Sequence, residues 1–402
     1  MNELKTTLLF LGGAAVLTAA ALVIDPGART ADVFSDQGEL FYPDFTDPQA
    51  PKAIEVIDYD DDTATATPLK VEFRENKWIL PSHNSYPADA ENRLADTAAA
   101  LIELKKDAVV SERTEDHAEY GVIDPLDEGA ASLQGRGKRV TLKDGDDEVL
   151  ADFIIGESAE DQPGFRYMRV PGQRKTYAVK TDVDPSAQFA DWIETDLLKL
   201  APGDIRRIAV NHYRVDERMR TLRPGEQFTM TKKDDKWSVS GAGRLDDAKV
   251  SDFTSAIDSL RIVDVQPKPD ILTADLQTTG QIQPTYQAAV LLQQKGFYLG
   301  GRGGQIFGNE GEIIVDSNKG IRYTLRFGEV ASSSPAAKEE GEGESRYLLI
   351  AVSHSEAREK EYGGSDGKEL YDELNQRFAE WYYVISGGEF SKLMPTKRSL
   401  LQ

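Results

Sequence analysis

Residues 71–104 read VEFRENKWILPSHNSYPADAENRLADTAAALIEL, and their periodicity changes part-way along. Apolar and polar positions alternate through Val71, Phe73, Trp78 and Leu80, with Glu75, Asn76 and Lys77 at a turn, which predicts two short strands. Leu94, Ala98, Leu101 and Leu104 then recur at helical spacing on one face. Pro87 suits a first helical position, where its missing N–H has no intrahelical partner, and Asp89 and Glu91 favour the positive helix start. The stretch reads strand, turn, strand, turn, amphipathic helix.

The same order returns in residues 230–263, MTKKDDKWSVSGAGRLDDAKVSDFTSAIDSLRIV. Met230, Trp237 and Val239 supply the strands, Asp246 and Asp247 open the helix, and Val250, Phe253, Ile257 and Leu260 form its stripe. Trp78 precedes Leu94 by 16 positions and Leu101 by 23; Trp237 precedes Phe253 and Leu260 by the same intervals. Upstream, Ile54, Val56 and Tyr59 match Ile208, Val210 and Tyr213. Downstream, Ile155-Gly156-Glu157 matches Phe327-Gly328-Glu329, Arg166-Tyr167 matches Arg346-Tyr347, and Phe189-Ala190-Asp191-Trp192 matches Phe378-Ala379-Glu380-Trp381. We therefore expect an α+β fold made of two homologous repeats of antiparallel sheet with packed helices.

Outside the repeats, Thr6 to Ile24 is an uncharged, mostly apolar run, close to the roughly 20 residues a membrane-spanning helix needs. It predicts an N-terminal transmembrane helix within residues 1–28; a signal peptide cut near Ala19-Ala20-Ala21 is the alternative. A short N-terminus before a large polar region places the remainder outside the cytoplasm, that is, a single-pass protein of a bacterial inner membrane with its C-terminal domains in the periplasm. Residues 29–52 read as an extended stalk, 53–201 as the first repeat and 202–402 as the second, with Pro202-Gly203 at the boundary. Polar insertions are expected near 266–284, 331–345 and 353–368, and a closing helix over Pro185 to Leu200. Leu370, Leu374 and Phe378 predict a last helix stripe, followed by a buried strand from Trp381 to Ser386.

The chain has no cysteine, so neither disulfides nor thiolate metal sites are available. Its formal net charge of -22 argues against nucleic acid, whose phosphates call for a basic face. His83, His117, His212 and His354 are scattered without metal-ligand spacing. The glycine-rich Gly300 to Gly311 lacks the Gly-Lys-Ser/Thr ending of a phosphate cradle and reads as a hairpin turn. The carboxylates of Asp58 to Asp62 lack EF-hand spacing and read as a solvated strand end. Trp78 with Trp237, and Trp192 with Trp381, read as equivalent core pairs. No catalytic, cofactor-binding or metal-binding residue is assigned.

The segments FRENKWIL, YPADAENRLADTAAALIELK, EYGVIDP, IIGES, FRYMRV, TYAV and FAEWYYVISGGEFSKL together resemble the bacterial family termed domain of unknown function 4340. The resemblance covers most of Lys52 to Gln402 as two copies, the second lacking a clear Tyr-Gly-x-x-Pro segment. It implies a membrane anchor, an extracytoplasmic region and association with ABC-2 and gliding-motility-type transporter subunits, and it carries no catalytic residues. The expectation is a non-enzymatic, membrane-anchored periplasmic accessory or scaffold protein with transporter subunits as partners. The alternative is an envelope hydrolase or a ligand-binding protein with an acidic site between the repeats.

Overall fold

The computed structural model describes residues 36–130, 132–216, 218–219, 221–279, 281–300, 304–331 and 343–402. By contact the chain divides into two units. The first takes the described chain up to Asn76 together with Ala90–Ala187, and the second takes Lys77–Asp89 and Gln188–Gln402.

Strands β1 (Ala53–Asp60) and β2 (Thr65–Arg74) open the first unit. Two short strands, β3 (Lys77–Leu80) and β4 (Tyr86–Pro87), group with the second unit. Helix α1 (Glu91–Ile102) follows, then β5 (Ala108–Ser111), β6 (Lys138–Lys143), β7 (Val149–Ser158), β8 (Phe165–Arg169) and β9 (Thr176–Lys180). The order across the sheet is β2-β1-β6-β7-β8-β9-β5, antiparallel throughout. Ile54 faces Val71 and Val56 faces Leu69, so the alternation seen in the sequence buries one face of the hairpin. Helix α1 buries Leu94, Ala98 and Leu101.

The second unit begins with β10 (Ile205–Asp216), β11 (Thr221–Lys233) and β12 (Lys236–Val239). Helix α2 (Asp247–Asp258) is capped by Asp246, whose carboxylate accepts from the Ala248 and Lys249 amides. After β13 (Asp264–Pro267) come helices α3 (Asp270–Thr279) and α4 (Tyr286–Gln293) and the hairpin β14 (Phe297–Gly300) and β15 (Gln305–Gly308). Strands β16 (Glu312–Ser317), β17 (Ile321–Val330) and β18 (Arg346–His354) lead to helices α5 (Glu356–Tyr362) and α6 (Gly367–Glu380). Strand β19 (Trp381–Ile385) and helix α7 (Gly387–Leu393) close the unit. The sheet order is β12-β11-β10-β16-β17-β18-β19-β13, the connectivity of the first sheet.

A small interlock recurs in both units. In the first, β7 bulges between Ile155 and Ser158, and there the Glu157 amide donates to the Tyr120 carbonyl at 3.1 Å. A Cβ on Gly156 would sit 2.2 Å from that carbonyl oxygen, and Gly121, at φ +64°, lies against the Glu157 backbone. In the second unit β17 bulges between Phe327 and Val330, the Glu329 amide donates to the Lys295 carbonyl at 3.0 Å, and a Cβ on Gly328 would meet that oxygen at 2.3 Å. Gly296, at φ +78°, takes the place of Gly121. Tyr120 packs edge-on against Tyr167 at 4.6 Å, while Lys295 lies 4.3 Å from the Tyr347 ring. In the second unit Lys295-Gly296-Phe297 therefore takes the place that Tyr120-Gly121-Val122 holds in the first.

The fold class differs from the expected α+β assembly with an N-terminal transmembrane helix. The described chain is mostly sheet, two large antiparallel sheets with seven helices, and none of those helices is long and apolar enough to cross a membrane. Thr6 to Ile24 lies outside the described residues, and no described helix supports the inner-membrane, periplasmic assignment. Helix was over-read elsewhere too. Pro185 to Leu200 holds one 3-10 turn, Phe189–Trp192, and Pro87 sits in β4 rather than at a helix start. Conversely, the insertion over 266–284 carries α3, and the one over 353–368 carries α5. Residues 332–342 of the third insertion lie outside the described residues.

The stretch read as a stalk packs onto the first unit from Asp36 onward. Phe41 and Phe45 are buried, the Tyr42 hydroxyl accepts from the Asp152 amide at 3.0 Å, and Asp36 accepts from the Tyr177 hydroxyl at 2.6 Å. Each buried phenylalanine contributes roughly 1.5–3 kcal/mol.

The interlock yields a direct test. Gly156→Ala and Gly328→Ala each force a methyl onto a carbonyl, and each should lower stability by about 1–3 kcal/mol in denaturant unfolding. Gly203→Ala, with open space around its Cα, should be near neutral.

Candidate binding site

A surface recess of the second unit forms where the β10–β11 hairpin loses register. Gln227 faces Asn211 but Pro224 faces Tyr213, so β11 carries one extra residue and bulges. The bulge needs glycine, because a Cβ on Gly225 would lie 2.1 Å from the His212 carbonyl. On the other side, Ser386 caps α7 by accepting from the Glu389 amide, which fixes Phe390 and the following Met394 beside the hairpin. His212 Nε2 lies 3.0 Å from the Pro395 carbonyl, which can only accept, so this nitrogen carries the proton and ties the chain after α7 to β10.

The resulting cavity is about 390 Å³, within the range of ligand pockets. Tyr213, Pro224, Phe390 and Met394 give it an apolar floor, and His212, Arg214, Arg223 and Glu310 a polar rim. Phe390 is held by an edge-on contact with Phe327 at 5.1 Å and by the Arg346 guanidinium 5.0 Å from its ring. Arg214 Nε pairs with Glu310 at 3.2 Å, and Arg223 pairs with Asp216.

Beneath the rim lies a buried polar cluster. Asn211 Nδ2 donates to Glu312 Oε1 at 3.2 Å, and Arg326 Nε approaches Glu312 Oε2 at 3.3 Å. The latter lies off the hydrogen-bond line and is a charge contact rather than a directed bond. Burial pushes the Arg326 pKa down, with the Glu312 carboxylate opposing it. Burial also raises the Tyr213 phenol well above its ordinary range, and Glu312 adds to the shift. Here the charge of one buried carboxylate acts on both a phenol and a guanidinium.

Lys268 is a second unusual group. Its ammonium is fully buried between β13 and α3 and donates to the Phe378 carbonyl at 2.7 Å and to that of Trp381, capping the end of α6. The Tyr382 ring lies 5.1 Å away. Burial pushes its pKa down to about 7, with Glu380 opposing the shift.

The residues singled out from sequence are spread through the fold. His83 stacks on Phe189, His117 Nε2 bonds the Arg174 carbonyl, and His354 pairs with Glu359 at 2.9 Å. Among the described residues no group of three or more His, Asp or Glu could hold a metal ion. Asp60 accepts from the Asp62 and Thr63 amides, so the acidic run is the end of β1 and the turn after it, and the Thr63 bond heads the causes that lower its pKa. The glycine-rich stretch contains β15, which pairs antiparallel with β14. Trp78 and Trp237 are only half-buried, whereas Trp192 and Trp381 are buried but not equivalent: Trp381 starts β19, and Trp192 ends a 3-10 turn. Met168 faces Tyr177 and Leu348 faces Tyr383, so Thr176–Lys180 is the segment that corresponds to β19.

Sequence reading missed Arg214, Arg223, Phe390, Met394 and Lys268. The arginines of RVDERMRTLR in a strongly acidic chain, and a lysine set between Pro267 and Pro269, were the available signals.

Among known families, the one described as domain of unknown function (DUF4340) matches residues 78–282, about half of the chain. The protein belongs to this family. No curated protein and no solved structure matches it. The DUF4340 match is one continuous run from the Trp78 strand to Ile282, taking in the first unit from Ala90 to Ala187 and parts of the second on either side in sequence. It includes His212 to Gly225 of the cavity and leaves out Glu310, Phe390 and Met394.

Two outcomes follow. Arg326→Leu strands the Glu312 carboxylate and should cost about 3–5 kcal/mol, while Glu312→Leu with Arg326→Leu should recover most of that loss in a double-mutant cycle. For Lys268, the unfolded chain holds its proton to about pH 10.4 and the folded chain only to about 7. Between these values the unfolded state binds more protons, so stability rises with pH by up to about 1.4 kcal/mol per unit from this group. Chemical denaturation between pH 7 and 9.5 should show Lys268→Met with a correspondingly flatter profile.

Proposed function

We propose that this DUF4340 protein is a non-enzymatic binding scaffold built from two tandem copies of one sheet unit, and that it serves as an auxiliary subunit of an ABC-type, gliding-motility-like transporter complex. The repeated interlock is the observation that carries the duplication. The same bulge, the same glycine pair and the same amide-to-carbonyl bond join β7 to Tyr120 and β17 to Lys295. Shared strand order alone could arise from packing rules, but a matching interlock at matching register points to common descent.

The scaffold reading is supported by what the second unit displays. Beyond the end of β12 the β10–β11 hairpin continues as an arm on which Thr221 to Gln227 are all exposed, with Met219 71% and Leu222 43% exposed nearby. Large apolar side chains on an arm bordering a cavity are a familiar form of protein contact surface. The transporter partner comes from the family resemblance.

The test is affinity purification of the tagged full-length chain from cells that naturally make it, in mild detergent, followed by mass spectrometry. Subunits of an ABC-type transporter should co-purify in near-stoichiometric amounts. Recovery of the chain alone overturns the accessory role.

A further inference from the structure

We propose that the β10–β11 arm and the cavity at its base dock an extended acidic segment of a partner protein, with one apolar side chain of that segment seated on Tyr213, Phe390 and Met394. The proposal rests on the scaffold reading and names the chemistry of the partner.

Charge is the first ground. The corresponding hairpin of the first unit, β1–β2, carries Asp58 and Asp60 at the end of β1 and Asp61 and Asp62 in the turn, in keeping with a chain of net charge -22. The β10–β11 arm instead carries Arg214, Arg218 and Arg223, with Asp216 and Glu226 among them, beside exposed Met219 and Leu222. Exposed guanidinium groups where the other sheet presents only carboxylates are a divergence that packing does not require, since the Arg214 and Arg223 side chains are 75% and 74% exposed.

The guanidinium groups keep an open side. Arg214 pairs with Glu310 and Arg223 with Asp216, but the arginine side chains are 75% and 74% exposed against 21% and 11% for the carboxylates. A partner carboxylate can join the open side of each guanidinium without displacing Glu310 or Asp216, while the apolar floor supplies the anchoring energy.

Side chains, not strand addition, must hold the segment. Strand β12 pairs only with Met230–Lys233, so the outer edge of β11 from Thr221 to Gln227 has no neighbouring strand among the described residues. Yet Pro224 in that edge has no N–H to offer, and the bulge at Gly225 breaks the ladder.

The experiment is fluorescence anisotropy of the full-length chain with a labelled dodecapeptide of alternating Glu and Asp around one central Phe. The wild type should bind, more weakly as salt rises. Arg214→Glu with Arg223→Glu should weaken binding at least about tenfold with an unchanged Tm, and replacing the probe's Phe by Ser should weaken it about tenfold. No wild-type binding, or binding indifferent to the double substitution, overturns the proposal. A concentration-dependent dimer in light scattering that the double substitution abolishes, without peptide binding, also overturns it and makes a second copy the occupant. If transporter subunits co-purify equally with wild type and the double variant, the acidic-segment assignment fails while the scaffold reading stands. If the peptide binds as expected but nothing co-purifies, the docking site stands and the transporter role fails.

Discussion

The bond from the amide after a bulge glycine to the carbonyl before a left-handed glycine is the constraint on which each sheet depends. Glu157 to Tyr120 and Glu329 to Lys295 are single backbone bonds, each worth about 1 kcal/mol in isolation. Their effect is larger because they fix a long connection against the middle of a sheet. The chain leaving β5 or β13 must return to form β6 or β16 in the interior, and without a fixed point that excursion would carry a loop-closure cost with no early contact to offset it. Gly156 and Gly328 allow the approach because any side chain there would occupy the space of the accepting oxygen.

Given that common constraint, the two units hold their connections by different means. In the first, arginines do most of the work: Arg136 donates to the carbonyls of Asp124, Pro125 and Asp127, Arg169 to those of Val122 and Gln173, and Arg139 to the Asp124 carboxylate. In the second, the insertion of α3, α4, β14 and β15 has a core of its own. Leu272, Leu276, Ala288, Leu292 and Phe297 pack with Tyr347, Leu349, Tyr382 and Val384 from β18 and β19. Burying apolar surface lets a connection grow longer without leaving backbone groups unpaired, which is why the second unit accommodates helices where the first has a stapled loop.

What could be read from sequence was whatever depends on short-range period. The alternation at Val71 and Leu80, the stripes of Leu94 to Leu101 and Val250 to Ile257, and the buried run Trp381 to Ile385 are local patterns, and the strands and helices formed on them. The Phe-Ala-x-Trp match failed because composition repeats more cheaply than register. Phe189 to Trp192 resembles Phe378 to Trp381, but only the pairing of Tyr177 and Tyr383 with their neighbouring strands reveals which segments correspond. The α+β expectation failed for a related reason, since Pro185 to Leu200 has helical apolar spacing yet buries Leu197, Leu198 and Leu200 in an irregular run. The cavity was illegible because its floor joins Tyr213 to Phe390 and Met394, residues far apart in sequence that carry no motif.

Lys268 shows how a stabilising contact and an unfavourable one can be the same group. Its amino group donates to two carbonyls at the end of α6, and a methionine of similar length would have no donor for either. Yet no carboxylate forms an ion pair with it among the described residues, so burial opposes the very charge that strengthens those bonds. The neutral amine keeps two N–H donors for two carbonyls, so deprotonation removes the cost of the charge and retains the cap. Flanked by Pro267 and Pro269, the backbone at this position has little freedom to withdraw the side chain toward solvent. The junction of β13 with α3 is therefore held by a lysine that serves better without its proton, and its strength follows pH in the direction opposite to that of a surface ion pair losing its ammonium.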